Sequence, residues 1–268
     1  MGWLDRLALG QARDSDAPAA DVADRLAAAF AAADRADYAG ALALWGPLAQ
    51  QGVARAQSNV GACFAEGLGV DRDPALAAHW LTLAAQAGDR VGQRNLAALY
   101  FKGEGVAQDF ARAAEFYRAA AEQGDSPAQD MLSWMLLEGD CVAPDVAAAR
   151  RWAEAAAANG IAAAMTRLGM IYHNALGVDR DPALAAAWWV KAAARGDADG
   201  QAMLGAAHVL GAGVARDGIA ALAWLLRAKA AGSRLADPFL TPARNALASD
   251  GIAEAERRAA QALPEGVS

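Results

Sequence analysis

A glycine recurs every 36 residues along this chain, at Gly52, Gly88, Gly124, Gly160, Gly196 and Gly232. Four further columns keep the same spacing. Valine stands at 70, 106, 142, 178 and 214, and aspartate at 73, 109, 145, 181 and 217. Alanine stands at 77, 113, 149, 185 and 221, and a large aromatic at Trp80, Phe116, Trp152, Trp188 and Trp224. Five columns in phase without slippage restrict the fold strongly. Each period must be one small unit that cannot bury its apolar face alone and does so by stacking on its neighbours.

Each period reads as two helices. Residues 54–66 place Val60, Cys63, Phe64 and Gly67 at three- and four-residue spacing, the pattern of one helix face. Gly67 and Gly69 end that helix and supply a turn that residues with a Cβ resist. Asp73 then serves as N-cap of a second helix, with Pro74 in the first helical position, where its missing N–H costs nothing. The second helix carries Ala77, Trp80 and Ala84 on one face and ends at Gly88. Alanine lets the helices approach closely, and the aromatic column is expected to fill the remaining core space.

Composition agrees with a helical stack. Hydrophobic residues make up 56% of the 268 residues, enough to bury a core, while aromatics are only 7%. The excess is alanine, which favours helix, and a β-sheet protein would need more β-branched and aromatic residues. The net charge of −7 and the lack of a basic run argue against a nucleic-acid partner, since such binding depends on neutralising phosphates.

The helix–GxGV–Asp–helix unit resembles the Sel1-like repeat, a relative of the tetratricopeptide repeat with a longer internal loop. Its carriers in one unit are Leu96, Tyr100, Gly103, Glu104, Gly105, Val106, Asp109, Ala113, Phe116, Tyr117, Ala120, Ala121 and Gly124. A second unit matches through Leu168, Gly169, Tyr172, Gly177, Val178, Asp181, Ala185, Trp188, Trp189, Lys191, Ala192 and Gly196. Cys141 and Ala175 replace loop glycines, and His208 replaces the usual tyrosine. The resemblance implies an all-α, right-handed α/α superhelical solenoid with repeats at 53–88, 89–124, 125–160, 161–196 and 197–232. Residues 22–52 read as a tetratricopeptide-like capping pair that lacks the GxGV loop, with Pro47 expected to kink its second helix. Residues 233–268 read as a C-terminal cap and tail, with Pro238 and Pro242 breaking the period before one helix over 243–262. Residues 1–21 read as a short helix and linker.

In stacks of this kind the first helix of each unit lines the concave side. The columns Val60/Leu96/Leu132/Leu168/Leu204 and Phe64/Tyr100/Leu136/Tyr172/His208 are expected in the core. The opposite face should then look into a groove, contributing Arg55, Ser58, Ala62 and Glu66 in the first unit and their equivalents along the chain. Most equivalents are small or polar, such as Ala98, Thr166, Ala202 and Ala206. The exceptions fall in the middle: Phe101, Trp134, Leu137, Met170 and His173, flanked by Arg94, Lys102, Asp130 and Glu138. An aromatic–aliphatic patch with a charged rim has the make-up of a protein-binding hot spot. These nine residues form the expected partner-binding groove, and a peptide or amphipathic helix is its expected occupant. Trp134 stands out, because the same column elsewhere holds Ala62, Ala98, Met170 and Ala206.

No catalytic, metal or cofactor site is expected. The three histidines, His79, His173 and His208, include no pair four residues apart. Cys63 and Cys141 fall in different slots of the repeat, one in a helix and one in a loop. The Asp column is explained by capping, and the GxG turns lack a GxxxxGK phosphate loop. Cysteine-rich Sel1-like proteins associated with β-lactam hydrolysis carry a cysteine pair in each repeat, which this chain does not. The expected role is therefore a non-enzymatic scaffold or adaptor for a bacterial complex, located in the cytoplasm, with no targeting signal. A second reading makes Met1, Trp3, Leu4 and Leu7 a short apolar face that touches a membrane.

Overall fold

The computed structural model describes residues 19–263, and among them all regular structure is helical. The short helix expected over residues 1–10 and most of the linker after it lie outside the described residues. A leading pair, α1 (Ala19–Asp34) and α2 (Tyr38–Gln50), is followed by α3 (Ala54–Glu66) and α4 (Pro74–Gln86), then α5 (Arg90–Lys102) and α6 (Phe110–Glu122). The next pairs are α7 (Ser126–Glu138) with α8 (Val146–Ala158), and α9 (Ala162–His173) with α10 (Pro182–Ala194). The helices α11 (Ala198–Leu210) and α12 (Gly218–Ala230) complete the repeats, and α13 (Asp237–Asn245) and α14 (Ser249–Ala260) follow. The helix α2 runs on through Pro47 to Gln50. The chain divides into two compact units, residues 1–132 and 133–268, with the boundary inside α7.

Within the first unit α3 packs on α4, α4 on α5 and α5 on α6, while α3 also meets α5 directly. Within the second, α9 packs on α10, α10 on α11 and α11 on α12, and α9 meets α11. Every second helix begins at the expected aspartate. Asp73, Asp109, Asp145, Asp181 and Asp217 each accept a hydrogen bond from the first-turn backbone N–H groups of α4, α6, α8, α10 and α12. Such a cap stabilises a helix by about 1 kcal/mol, because the first N–H groups otherwise have no protein partner. The aspartate N–H groups in turn donate to Phe64, Tyr100, Leu136, Tyr172 and His208, closing each loop onto the end of the first helix.

A second aspartate set was not evident from the sequence pattern. Asp89, Asp125 and Asp197 cap α5, α7 and α11 through Gly92, Ala128 and Gly200. Val53 and Ile161 take that place before α3 and α9 and offer no side-chain cap. A buried glutamine follows in the same helices: Gln57, Gln93, Gln129 and Gln201 donate to the carbonyls of Ala49, Ala85, Ala121 and Ala193. Each bond fills an acceptor in the last turn of the preceding helix, and so ties one repeat to the next.

The loop glycine Gly105 has φ 70°, and a Cβ there would lie 1.9 Å from the carbonyl oxygen of Pro74. The turn therefore rests directly on the N-terminus of the second helix one repeat back. In the fourth repeat Ala175 adopts the left-handed conformation of its glycine equivalents, with φ 57°.

The expected first-helix core column is buried throughout, from Val60 through Leu96, Leu132 and Leu168 to Leu204. In the second column Phe64 and Leu136 are buried, while Tyr100, Tyr172 and His208 are half-buried. The aromatic column corrects the sequence reading. Trp80 is buried, but Phe116, Trp152, Trp188 and Trp224 are only half-buried. The deep positions are one residue later: Leu81, Tyr117, Ala153, Trp189 and Leu225. Opposite them stand small residues. Gly61, Gly169 and Gly205 would each place a Cβ within 2.7 Å of Leu81, Trp189 or Leu225, while Ser133 donates to the carbonyl of Ala149 at 2.8 Å. Small faces large, so the helix axes can stay close.

The C-terminal end differs from expectation too. Residues 243–262 do not form one helix: α13 begins at Asp237, and α14 begins at Ser249 after a turn. Pro238 lies in the first turn of α13, where proline is tolerated, and Pro242 lies inside the helix. Both helices pack on α12, and α13 also meets α11.

Candidate functional site

Four of the nine expected groove residues lie in the first unit. Arg94, on α5, is committed elsewhere: its guanidinium lies 2.9 Å from the carboxylate of Asp125, which is 5% exposed against 29% for the arginine. Asp125 is the cap of α7, so the pair ties α5 to the start of the next repeat rather than offering a charge to a partner. Arg55 makes the same link to Asp89 one repeat earlier, at 3.0 Å. Phe101 sits against the ring of Phe110, with centroids 5.3 Å apart. Asp130 is half-buried on α7, and Lys102 is exposed at the end of α5. Four other expected wall residues, Ser58, Thr166, Ala202 and Ala206, are buried.

Lys102 lines a hollow of about 230 Å³ with Ala62, Ala65, Glu66, Asn95, Ala98 and Glu104. It lies between the first helices α3 and α5.

The second unit holds an equivalent hollow, and here four expected residues come together. Trp134, Leu137 and Glu138 of α7 and Met170 of α9 line a space of about 260 Å³. Ala163, Thr166, Arg167, Asp197, Asp199 and Leu235 complete it. Thr166 belongs to the expected wall, whereas Arg167, Asp197, Asp199 and Leu235 were missed. Arg167 lies beside it on α9, and the other three come from the start of α11 and the turn after α12, whose placement no single helix face reveals. Leu235 is 42% exposed, and Trp134, Leu137 and Met170 are half-buried. Asp197 is held by the N–H of Gly200 and by the hydroxyl of Thr166 at 2.6 Å, and the Ser233 hydroxyl donates to Asp199 at 2.6 Å. His173 does not line the hollow. Its ring lies 5.4 Å from Trp189, where burial, and then the Arg180 charge, push its pKa below the ordinary imidazole value.

The two hollows occupy the same place in the repeat. Ala62, Ala65, Asn95 and Ala98 in the first unit correspond, two repeats on, to Trp134, Leu137, Arg167 and Met170. The helix pairs therefore form with alanine at these positions. Large apolar side chains there are not required by the stacking of the repeat.

Among the described residues no group of three or more His, Cys, Asp or Glu side chains is placed to hold a metal ion. Cys63 and Cys141 are free thiols, and burial pushes Cys63 up to about 11, which keeps it protonated at neutral pH. Among the described residues no helix is long and apolar enough to cross a membrane.

No curated protein matches the chain. Among solved structures it resembles a Sel1 repeat protein from Oxalobacter formigenes, with a TM-score of 0.79 at 24% identity, covering 91% of this chain and 99% of that one. It also resembles a protective antigen of uropathogenic Escherichia coli that displays an SLR fold. The TM-score there is 0.75 at 28% identity, over 89% of this chain and 53% of the antigen, so the chain spans about half the antigen's length. The Sel1 repeat model matches residues 54–89, 91–125, 126–161, 162–197 and 198–233. Helix pairs, glycine loops and aspartate caps recur in each of these stretches, and the chain belongs to the Sel1 repeat family.

Proposed function

We propose that the protein is a non-enzymatic scaffold that holds a segment of another protein in the hollow between α7 and α9 of its second unit. Sel1 repeats generally mediate protein–protein binding, which sets the class of activity. One observation points to the place: the niche that alanine fills in the first unit is lined by Trp134, Leu137 and Met170 in the second. Half-exposed aromatic and aliphatic side chains concentrated in a concavity are the usual make-up of a binding hot spot. A volume of about 260 Å³ falls below the usual range for a whole small-molecule ligand and suits one or two anchoring side chains of a peptide. Partner capture from the source cells, quantified by mass spectrometry, tests this reading. The Trp134→Ala/Met170→Ala double variant is expected to lose a specific partner that the wild type and an Ala62→Ser control both retain. Equal recovery by all three proteins, each with an unchanged helical melting profile, rules the site out.

A further inference from the structure

The residues around this hollow also indicate the chemistry of its occupant. Its apolar wall is Trp134, Leu137, Met170 and Leu235, and its polar edge is dominated by Glu138, Asp197 and Asp199, with Arg167 the single cation among the lining residues. Asp197 and Asp199 are fixed by hydroxyl hydrogen bonds from Thr166 and Ser233, so their negative field is in place before any ligand arrives. Glu138 and Asp199 are exposed to solvent. Resting on the reading of this hollow as a docking site, we infer that the segment it holds carries a lysine or arginine beside a bulky aliphatic or aromatic residue. The apolar side chain enters the Trp134–Met170 wall. The cationic stem lies along the same wall, with its head at the carboxylates. An acidic segment is rejected by like-charge repulsion, so the edge selects among apolar peptides rather than merely tightening all of them.

A random dodecapeptide library displayed on phage and panned on the full chain tests the inference. Selected peptides are then measured by fluorescence anisotropy against three proteins: wild type, Glu138→Gln/Asp199→Asn, and Trp134→Ala/Met170→Ala. The amide substitutions preserve side-chain size, and Asn at 199 keeps an acceptor for the Ser233 hydroxyl. The expected peptides place Lys or Arg within a few positions of Leu, Met, Phe or Trp. Their affinity should fall roughly tenfold on removal of the two charges, fall further as salt rises, and vanish in the apolar double variant. Peptides that need Trp134 and Met170, yet have neutral or acidic flanks and bind the amide variant as well as wild type, overturn the charge inference while leaving the docking site intact. Peptides that bind all three proteins alike overturn the docking site itself.

Discussion

Ala175 holds a left-handed backbone, φ 57°, that glycine holds in the other four repeats. An L-residue with a Cβ costs about 1–2 kcal/mol in that conformation, partly offset by its smaller loss of chain entropy on folding. Ala175→Gly should therefore stabilise the protein by about 0.5–1 kcal/mol, read as a higher denaturant midpoint at unchanged slope. Gly105 presents the opposite case. It combines a positive φ with a Cβ position 1.9 Å from Pro74 O, and backbone rather than a movable side chain is in the way. Gly105→Ala should lower stability by at least about 2 kcal/mol in the same denaturation experiment. An unchanged midpoint in either variant would mean that the turn can relax without disturbing the helix it rests on.

Between elements, polar contacts add to the apolar packing that ties one repeat to the next. The Arg94–Asp125 pair belongs to this set, and the sequence pattern that placed Arg94 in the groove could not show it. Position 94 lies on the non-core face of α5, which sequence can reveal, but the carboxylate that claims it caps a helix 31 residues later. Arg94→Ala leaves a nearly buried carboxylate with only its capping bond from the Ala128 N–H, and should cost roughly 2 kcal/mol of stability. Affinity for a captured partner should stay the same; a loss of affinity at unchanged stability would return Arg94 to the binding surface. Other features were legible for a clear reason. The Asp73 column was readable as caps because an N-cap depends on local sequence alone, and the Val60 column as core because one helix face repeats without exception. The deep core at Trp189 was less so. Second helices such as Pro182–Ala194 are apolar at adjacent positions, Trp188 and Trp189, and periodicity cannot say which faces Gly169. Only the position of the opposing helix decides that. Pro242 misled in a similar way, since a proline that interrupts the period need not interrupt the helix.

At the scale of the molecule, the repeat supplies the same niche more than once, and side-chain identity makes one of them different. Where sequence reading looked along single helices it found Trp134, Leu137, Glu138 and Met170. It also gathered Arg94, Phe101 and His173, which the structure commits to Asp125, Phe110 and Trp189. The edge formed by Asp197, Asp199 and Leu235 needed the packing of α7, α9 and α11 to appear. The claim that the second unit's hollow, and not its alanine-lined counterpart, receives a partner is tested most directly by site-specific photo-crosslinking in the source cells. The crosslinking residue benzoylphenylalanine is placed in turn at positions 134, 170, 62 and 98. The expected result is a discrete crosslinked partner from positions 134 and 170 and none from 62 and 98. Equal crosslinking at all four positions, or a partner captured only from 62 and 98, would contradict it.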